Sequence, residues 1–220
     1  KNTSRRYPVV YHLDGNAYFD PVSASADRLL KKKKIAIDPI VVGIGYKNAY
    51  VMDSLRNRDY TFPEAHPKDS FRISGGGARF YRFIKSELKP YIEKTYRTDT
   101  TNRTIMGHSL GGYFVLYALL QDISGDRFFN HYVAASPSVS YDDDYIIKQF
   151  DRLSFENMDD RRSNLYLSTG SLEIEEDMSN SFTRFTRLLS GLNGIYLKVK
   201  IYNNMEHMGT AVLSFEDGLE

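Results

Sequence analysis

The sequence contains no cysteine. That excludes a disulfide framework, a cysteine-ligated zinc site and a thiol nucleophile, and it leaves the compartment open. Tryptophan is absent as well. Charge of neither sign is in excess: 29 Lys and Arg stand against 28 Asp and Glu, a net charge of +1. Such a balance gives no argument for nucleic acid or an anionic membrane as partner. No run approaches about 18 consecutive apolar residues, the length a membrane-spanning helix needs. Neither H-E-x-x-H nor a calcium-loop spacing occurs, and Gly75-Gly76-Gly77 lacks the G-K-[ST] ending of a phosphate loop. Neither a metal nor a cofactor is therefore expected. What is there is ordinary globular material, 41% hydrophobic and 26% charged, which excludes wholesale disorder. A chain of 220 residues buries enough surface to fold without staples, and one domain over residues 1–220 is expected.

Apolar runs of strand length alternate with helix-like segments, the pattern of a parallel sheet flanked by helices. The expected strands are 8–13, 37–44, 103–107, 131–136, 164–169 and 195–202. Residues 37–45 (IDPIVVGIG) are nearly continuously apolar, as for a strand buried on both faces. Residues 195–202 alternate more and point to an edge. Helices are expected at 23–34, 78–94, 110–121, 142–153, 178–192 and 209–219. Within 78–94, Phe80, Phe83, Ile84, Leu88, Tyr91 and Ile92 fall on one helical face, and Pro90 should kink or limit it. The lysines at 31–34 read as a solvated helix end. The long polar stretch from Tyr46 to Gly77 reads as a functional loop. The chain opens at Lys1, only a few residues before its first strand. This reads as a processed or trimmed product, with N-terminal strands and any targeting signal expected ahead of it.

The strongest chemical signal is Gly107-His108-Ser109-Leu110-Gly111, a G-x-S-x-G pentapeptide. It has a strand before it and an apolar helix after it, the order a nucleophile elbow requires. Glycines beside Ser109 are expected because a Cβ there would meet neighbouring backbone. A nucleophilic serine needs a base. Of His12, His66, His108, His131 and His207, only His131 and His207 follow Ser109. His207 sits in a loop after the last strand, where the hydrolase chain order puts the base. His131 opens a strand and reads as structural, and His108 as packing under the turn. The acid should follow the strand at 164–169. Glu173 leaves that strand first, while Glu175, Glu176 and Asp177 read as first-turn helix carboxylates. The oxyanion hole should take the Leu110 amide and one from the His12–Asn16 loop, with Asn16 expected and Gly15 its neighbour. Arg56 and Arg58 are candidate contacts for an anionic or catecholate ester; the alternative is salt bridging to Asp53 and Asp59.

These motifs together resemble a known family. Tyr7-Pro8-Val9-Val10-Tyr11-His12-Leu13-Asp14-Gly15 is similar to the "YPVLYLLDG" opening of the esterase D-like esterases of the α/β-hydrolase superfamily. Arg56 to Thr61 is similar to their "R-x-R-D-(Y/L)-T", and Gly75 to Ile92 to their "GGGA…F…ELIPYIE". Gly107 to Gly112 and Ser136-Pro137-Ser138 match the elbow and the "SPS" strand end. The siderophore (enterobactin-type) esterases are the branch nearest in pattern. The resemblance implies an α/β-hydrolase fold and ester hydrolysis through an acyl-serine, with Ser109 as nucleophile, His207 as base and Glu173 as acid. It implies a small-molecule or glycan ester as substrate: a siderophore lactone, or a feruloyl or acetyl ester. An acyltransferase on the same triad is the alternative, and a periplasmic or secreted site is the family habit.

Overall fold

The computed structural model describes residues 4–67, 73–153, 163–176 and 180–220. Six parallel strands form one sheet: β1 (Tyr7–His12), β2 (Ile40–Gly43), β3 (Thr98–His108), β4 (His131–Ala135), β5 (Ser163–Gly170) and β6 (Ile195–Tyr202). Their spatial order is β2-β1-β3-β4-β5-β6. Each of the five neighbouring pairs is parallel, so all carboxyl ends lie on one side.

The two-residue period of a strand sorts its side chains between two cores. Val9, Tyr11, Ile105, Tyr132, Ala134, Leu165 and Leu167 enter the larger one. Their neighbours Val10, Met106, Val133, Ala135 and Tyr166 enter the smaller one on the other face. Helix α1 (Gly15–Lys31) and the last helix (Ala211–Leu219) cover the smaller core through Val22, Ala211 and Phe215. The larger core lies under α3 (Gly77–Phe83), α4 (Lys89–Thr95), α5 (Leu110–Ile123), α6 (Tyr141–Asp151), α7 (Ser171–Glu176) and α8 (Ser181–Ser190), with α2 (Ala49–Asp59) outside it against α3 and α5. With α9 (Ala211–Leu219) this is the α/β-hydrolase arrangement. Every residue of α5 from Leu110 to Leu120 is buried, as its all-apolar sequence requires.

Several expected elements are corrected. Helix α1 begins at Gly15 rather than residue 23; Pro21 lies inside it, and a proline in that position disguises a helix in sequence. β2 is a four-residue edge strand with its residues half-buried or exposed, not a strand covered on both faces. Its apolar run continues into a loop. The segment 78–94 is broken by a π turn over Ile84–Leu88, closed by the Lys89 amide on the Ile84 carbonyl. Pro90 has no N–H to return to the preceding turn, and the wider turn rotates the faces on either side of it. Phe80, Ile84 and Ile92 are buried, whereas Phe83 and Tyr91 are exposed. The expected loop at 46–77 contains α2, capped by the Asn48 side chain on the Val51 amide. That loop is tied down where the Tyr113 hydroxyl donates to the Phe62 carbonyl and the Tyr141 hydroxyl to the Pro63 carbonyl. The expected helix at 178–192 is α8, beginning at Ser181.

Candidate active site

Ser109 stands between β3 and α5 with φ 60° and ψ −121°, a conformation costly for any residue with a Cβ. Local packing imposes it. A Cβ on Gly107 would lie 2.5 Å from the Gly111 carbonyl, and one on Gly112 would lie 2.9 Å from the Ala135 carbonyl. Gly111, by contrast, has ordinary room at 3.5 Å. The expected steric need thus falls on Gly107 and Gly112, not on Gly111. The Ser109 amide donates to the Ala135 carbonyl at 3.0 Å, which ties the turn to β4. Its hydroxyl lies 3.5 Å from that of Ser138.

Glu173 enters from the first turn of α7, three residues beyond the end of β5. Its Oε1 accepts from the Ser136 hydroxyl at 2.7 Å and from the Gly170 amide at 2.8 Å. Its Oε2 lies 2.6 Å from Nδ1 of His207. Burial alone would raise its pKa, but the bonds from His207, Ser136 and Gly170 outweigh burial and hold it at about 2. Glu173 is therefore an ionised acceptor. Glu176 lines the cleft nearby, while Asp177 and the Glu175 side chain lie outside the described residues.

His207 sits on a single 3-10 turn after β6. With Nδ1 on Glu173, its Nε2 is left for chemistry. Beneath it, His108 is buried, with the two ring centroids 4.5 Å apart. Nε2 of His108 lies 2.9 Å from the His207 carbonyl. A carbonyl only accepts, so this nitrogen carries the proton. Burial, then the adjacent His207, pushes the His108 pKa down to about 4. The packing role expected of His108 is what the geometry shows. His131 sits half-buried at the opposite end of β4.

The expected oxyanion donors lie at two helix starts, whose first amides have no intrahelical acceptor. Leu110 opens α5, and Asn16 is the second residue of α1. The Gly15 amide is already spent on the Ile44 carbonyl at 2.9 Å, which separates it from Asn16. The Asn16 side chain clasps the Tyr46 main chain, donating to its carbonyl at 2.8 Å and accepting its amide at 2.6 Å.

Ahead of this loop, Asp14 adopts a left-handed conformation, φ 52°. Arg56 grips its carboxylate with two bonds of 3.0 and 2.9 Å. The Tyr60 hydroxyl takes its amide at 3.0 Å. Arg56 thus pairs with Asp14 rather than Asp53. Arg58 pairs with Asp59 at 2.7 Å. Sequence reasoning missed Asp14 as the partner, and it missed the roles of Ser136, Ser138 and Thr210. The first two serines stood in a quoted motif; Thr210 gave no signal.

His207, Glu173, Ser136 and Ser138 line one open cleft of about 630 Å³ at the carboxyl end of the sheet. Among the described residues no group of three His, Asp or Glu stands close enough to hold a metal ion, and no helix is long and apolar enough to cross a membrane.

Comparison with known proteins agrees with this fold. The chain is 38% identical over 177 residues to the ferri-bacillibactin esterase BesA of Bacillus subtilis, covering 76% of this chain and 60% of BesA. It is 33% identical over 141 residues to the apo-salmochelin esterase of Escherichia coli, covering 60% of this chain and 42% of that protein. The matched region thus spans 60% of one relative and 42% of the other, less than two thirds of each. Among solved structures, the BES protein from Bacillus cereus superposes with a TM-score of 0.84 at 28% identity, over 100% of this chain and 85% of that one. The family model described as "Putative esterase" matches residues 1–178, a stretch that includes Ser109 and Glu173, and the chain belongs to that family.

Proposed function

We infer that the protein is a serine esterase that hydrolyses a siderophore ester. The observation that carries this is the His207–Glu173 pair, 2.6 Å long, seated above His108 beside a strained Ser109. Ser109 attacks the ester carbonyl while His207 takes its proton, then returns it to the leaving alcohol. Water deacylates the serine with His207 again as base. Glu173 stays ionised throughout and fixes the His207 ring with Nε2 outward. The Leu110 and Asn16 amides hold the oxyanion, each worth about 3 kcal/mol of barrier. The substrate class is supported by the relatives, named as esterases of ferri-bacillibactin and of apo-salmochelin, and by two further ones from Aspergillus fumigatus and Emericella nidulans named as siderophore esterases. Arg56 and Arg58 are already engaged by carboxylates, so in this reading Arg56 shapes the oxyanion loop through Asp14.

The test is hydrolysis of a short-chain p-nitrophenyl ester and of a catecholate trilactone by the wild type and Ser109→Ala. Turnover of both by the wild type, and of neither by the variant, is expected. Turnover of the simple ester alone would keep the serine chemistry and remove the siderophore. Full activity in Ser109→Ala would overturn the reading.

A further inference from the structure

Behind the His207–Glu173 pair lies a buried chain of hydroxyls. Glu173 Oε1 is 2.7 Å from Ser136 Oγ, which is 2.7 Å from Thr210 Oγ1, which is 2.9 Å from the His207 carbonyl. Ser136 is 3% exposed and Thr210 is fully buried. The chain ends on an acceptor at each side, a carboxylate oxygen and a carbonyl. Three contacts therefore share the two hydroxyl protons of Ser136 and Thr210.

Geometry decides where those protons go. Oε1 already receives the Gly170 amide, so a proton on that oxygen is disfavoured and Ser136 must donate to it. Thr210 then has one proton and two acceptors. The His207 carbonyl is already served by Nε2 of His108 at 2.9 Å. Ser136 Oγ has no other donor among the described residues, and it is the nearer acceptor. The Thr210 proton therefore favours Ser136, its nearer acceptor at 2.7 Å, and also reaches the His207 carbonyl at 2.9 Å. Two more hydroxyls fix the Thr210 main chain: Ser214 donates to its carbonyl at 2.7 Å, and Ser168 donates to Ser214 at 2.8 Å.

We propose that Ser136 and Thr210 are positioning residues, a directed hydroxyl relay that holds Glu173 with Oε2 aimed at His207. The proposal rests on the serine-esterase reading. Bonds along such a chain polarise one another, so the loss of Thr210 is felt at Glu173 through Ser136. Two anchors then work in parallel: His108 fixes the main chain of the base, and the relay fixes the carboxylate of the acid.

The test combines kinetics on a p-nitrophenyl ester with proton NMR of histidine-labelled protein. The signature is the downfield Nδ1 proton of His207 bonded to Glu173. Ser136→Ala should lower kcat about tenfold with KM unchanged, the loss of one bond to a charged group, and broaden that resonance. Thr210→Val, which keeps the shape and removes the hydroxyl, should do the same more weakly. Thr210→Ser should restore both readouts. Wild-type kcat and resonance in both Ser136→Ala and Thr210→Val would overturn the relay, as would thermal destabilisation with neither readout moved. Should those variants fail to fold, the nitrogen spectrum of the wild type decides alone. His108 must carry its proton on Nε2; a proton on Nδ1 would turn Thr210 toward the His207 carbonyl and break the relay. Ser109→Ala separates the two claims. It should abolish turnover and leave the His207 resonance in place. If it stays active, the esterase reading fails whatever the relay variants show.

Discussion

Asp14 and Glu173 are both carboxylates sunk into the carboxyl end of the sheet, and they are neutralised in different ways. Asp14 is 3% exposed and gripped by two nitrogens of Arg56. Arginine stays protonated at any working pH, so that pair is permanent. Glu173 faces His207, a cation only when protonated, and is otherwise held by the neutral donors Ser136 and Gly170. A carboxylate with a fixed counter-charge sets the shape of a loop. In the proposed mechanism, a carboxylate with a switchable one stabilises a charge that comes and goes during turnover. The same chemical group is a clamp on the loop before α1 and, in the proposed mechanism, an electrostatic partner of the base.

Breaking each carboxylate should therefore fail differently. The largest effect is expected for Glu173→Gln on turnover: kcat on a p-nitrophenyl ester should fall about 10³–10⁴-fold with the fold intact, since the amide favours the wrong His207 tautomer. A drop of less than tenfold would remove Glu173 from the site. Asp14→Asn should instead strike stability. It leaves the buried Arg56 charge without its partner, a loss of about 3–5 kcal/mol, seen as a midpoint lowered by on the order of 10 °C in thermal unfolding. An unchanged midpoint would mean that the clamp holds nothing.

Smaller changes sharpen the contrast. Arg56→Lys keeps the charge and loses the fork; about 1–2 kcal/mol of destabilisation is expected, with kcat reduced more than the midpoint suggests because Asn16 shifts. Equal losses in both would make the clamp purely structural. The smallest effect is a pH dependence. The Glu173 pKa in the folded protein, about 2, lies below its ordinary 4.5. Its ionisation therefore contributes stability that is complete above about 4.5 and is lost as pH falls toward 2. The midpoint difference between wild type and Glu173→Gln should shrink over that window; a constant difference would show that the carboxylate is not held ionised.

The contrast also marks what was readable in the sequence. Ser109, His207 and Glu173 follow chain order around strands whose apolar runs are plain, and the structure brings His207 and Glu173 together. The Asp14 partner was not readable, because Asp53 and Asp59 lie closer to Arg56 along the chain and nothing local favours a residue 42 positions away. Helix α2 was hidden because few of its side chains are buried, so it lacks the apolar stripe that marks a helix. The π turn left no periodic trace, since a single widened turn only shifts the phase of the pattern it interrupts. Thr210 gave no signal, because its role depends on Ser136, 74 positions earlier.

The reach of the His108–His207 contact has a consequence in time. The two residues are 99 positions apart. At typical synthesis rates, the stretch between them takes roughly 5–20 s to emerge from a ribosome. When that interval opens, the strained Ser109 turn has no His207 above it, and β4, β5, Glu173, Ser136 and Thr210 are still to come. In the proposed mechanism a nascent chain is thus silent toward esters while its sheet is being completed, and it gains reactivity only when the loop after β6 lands on His108.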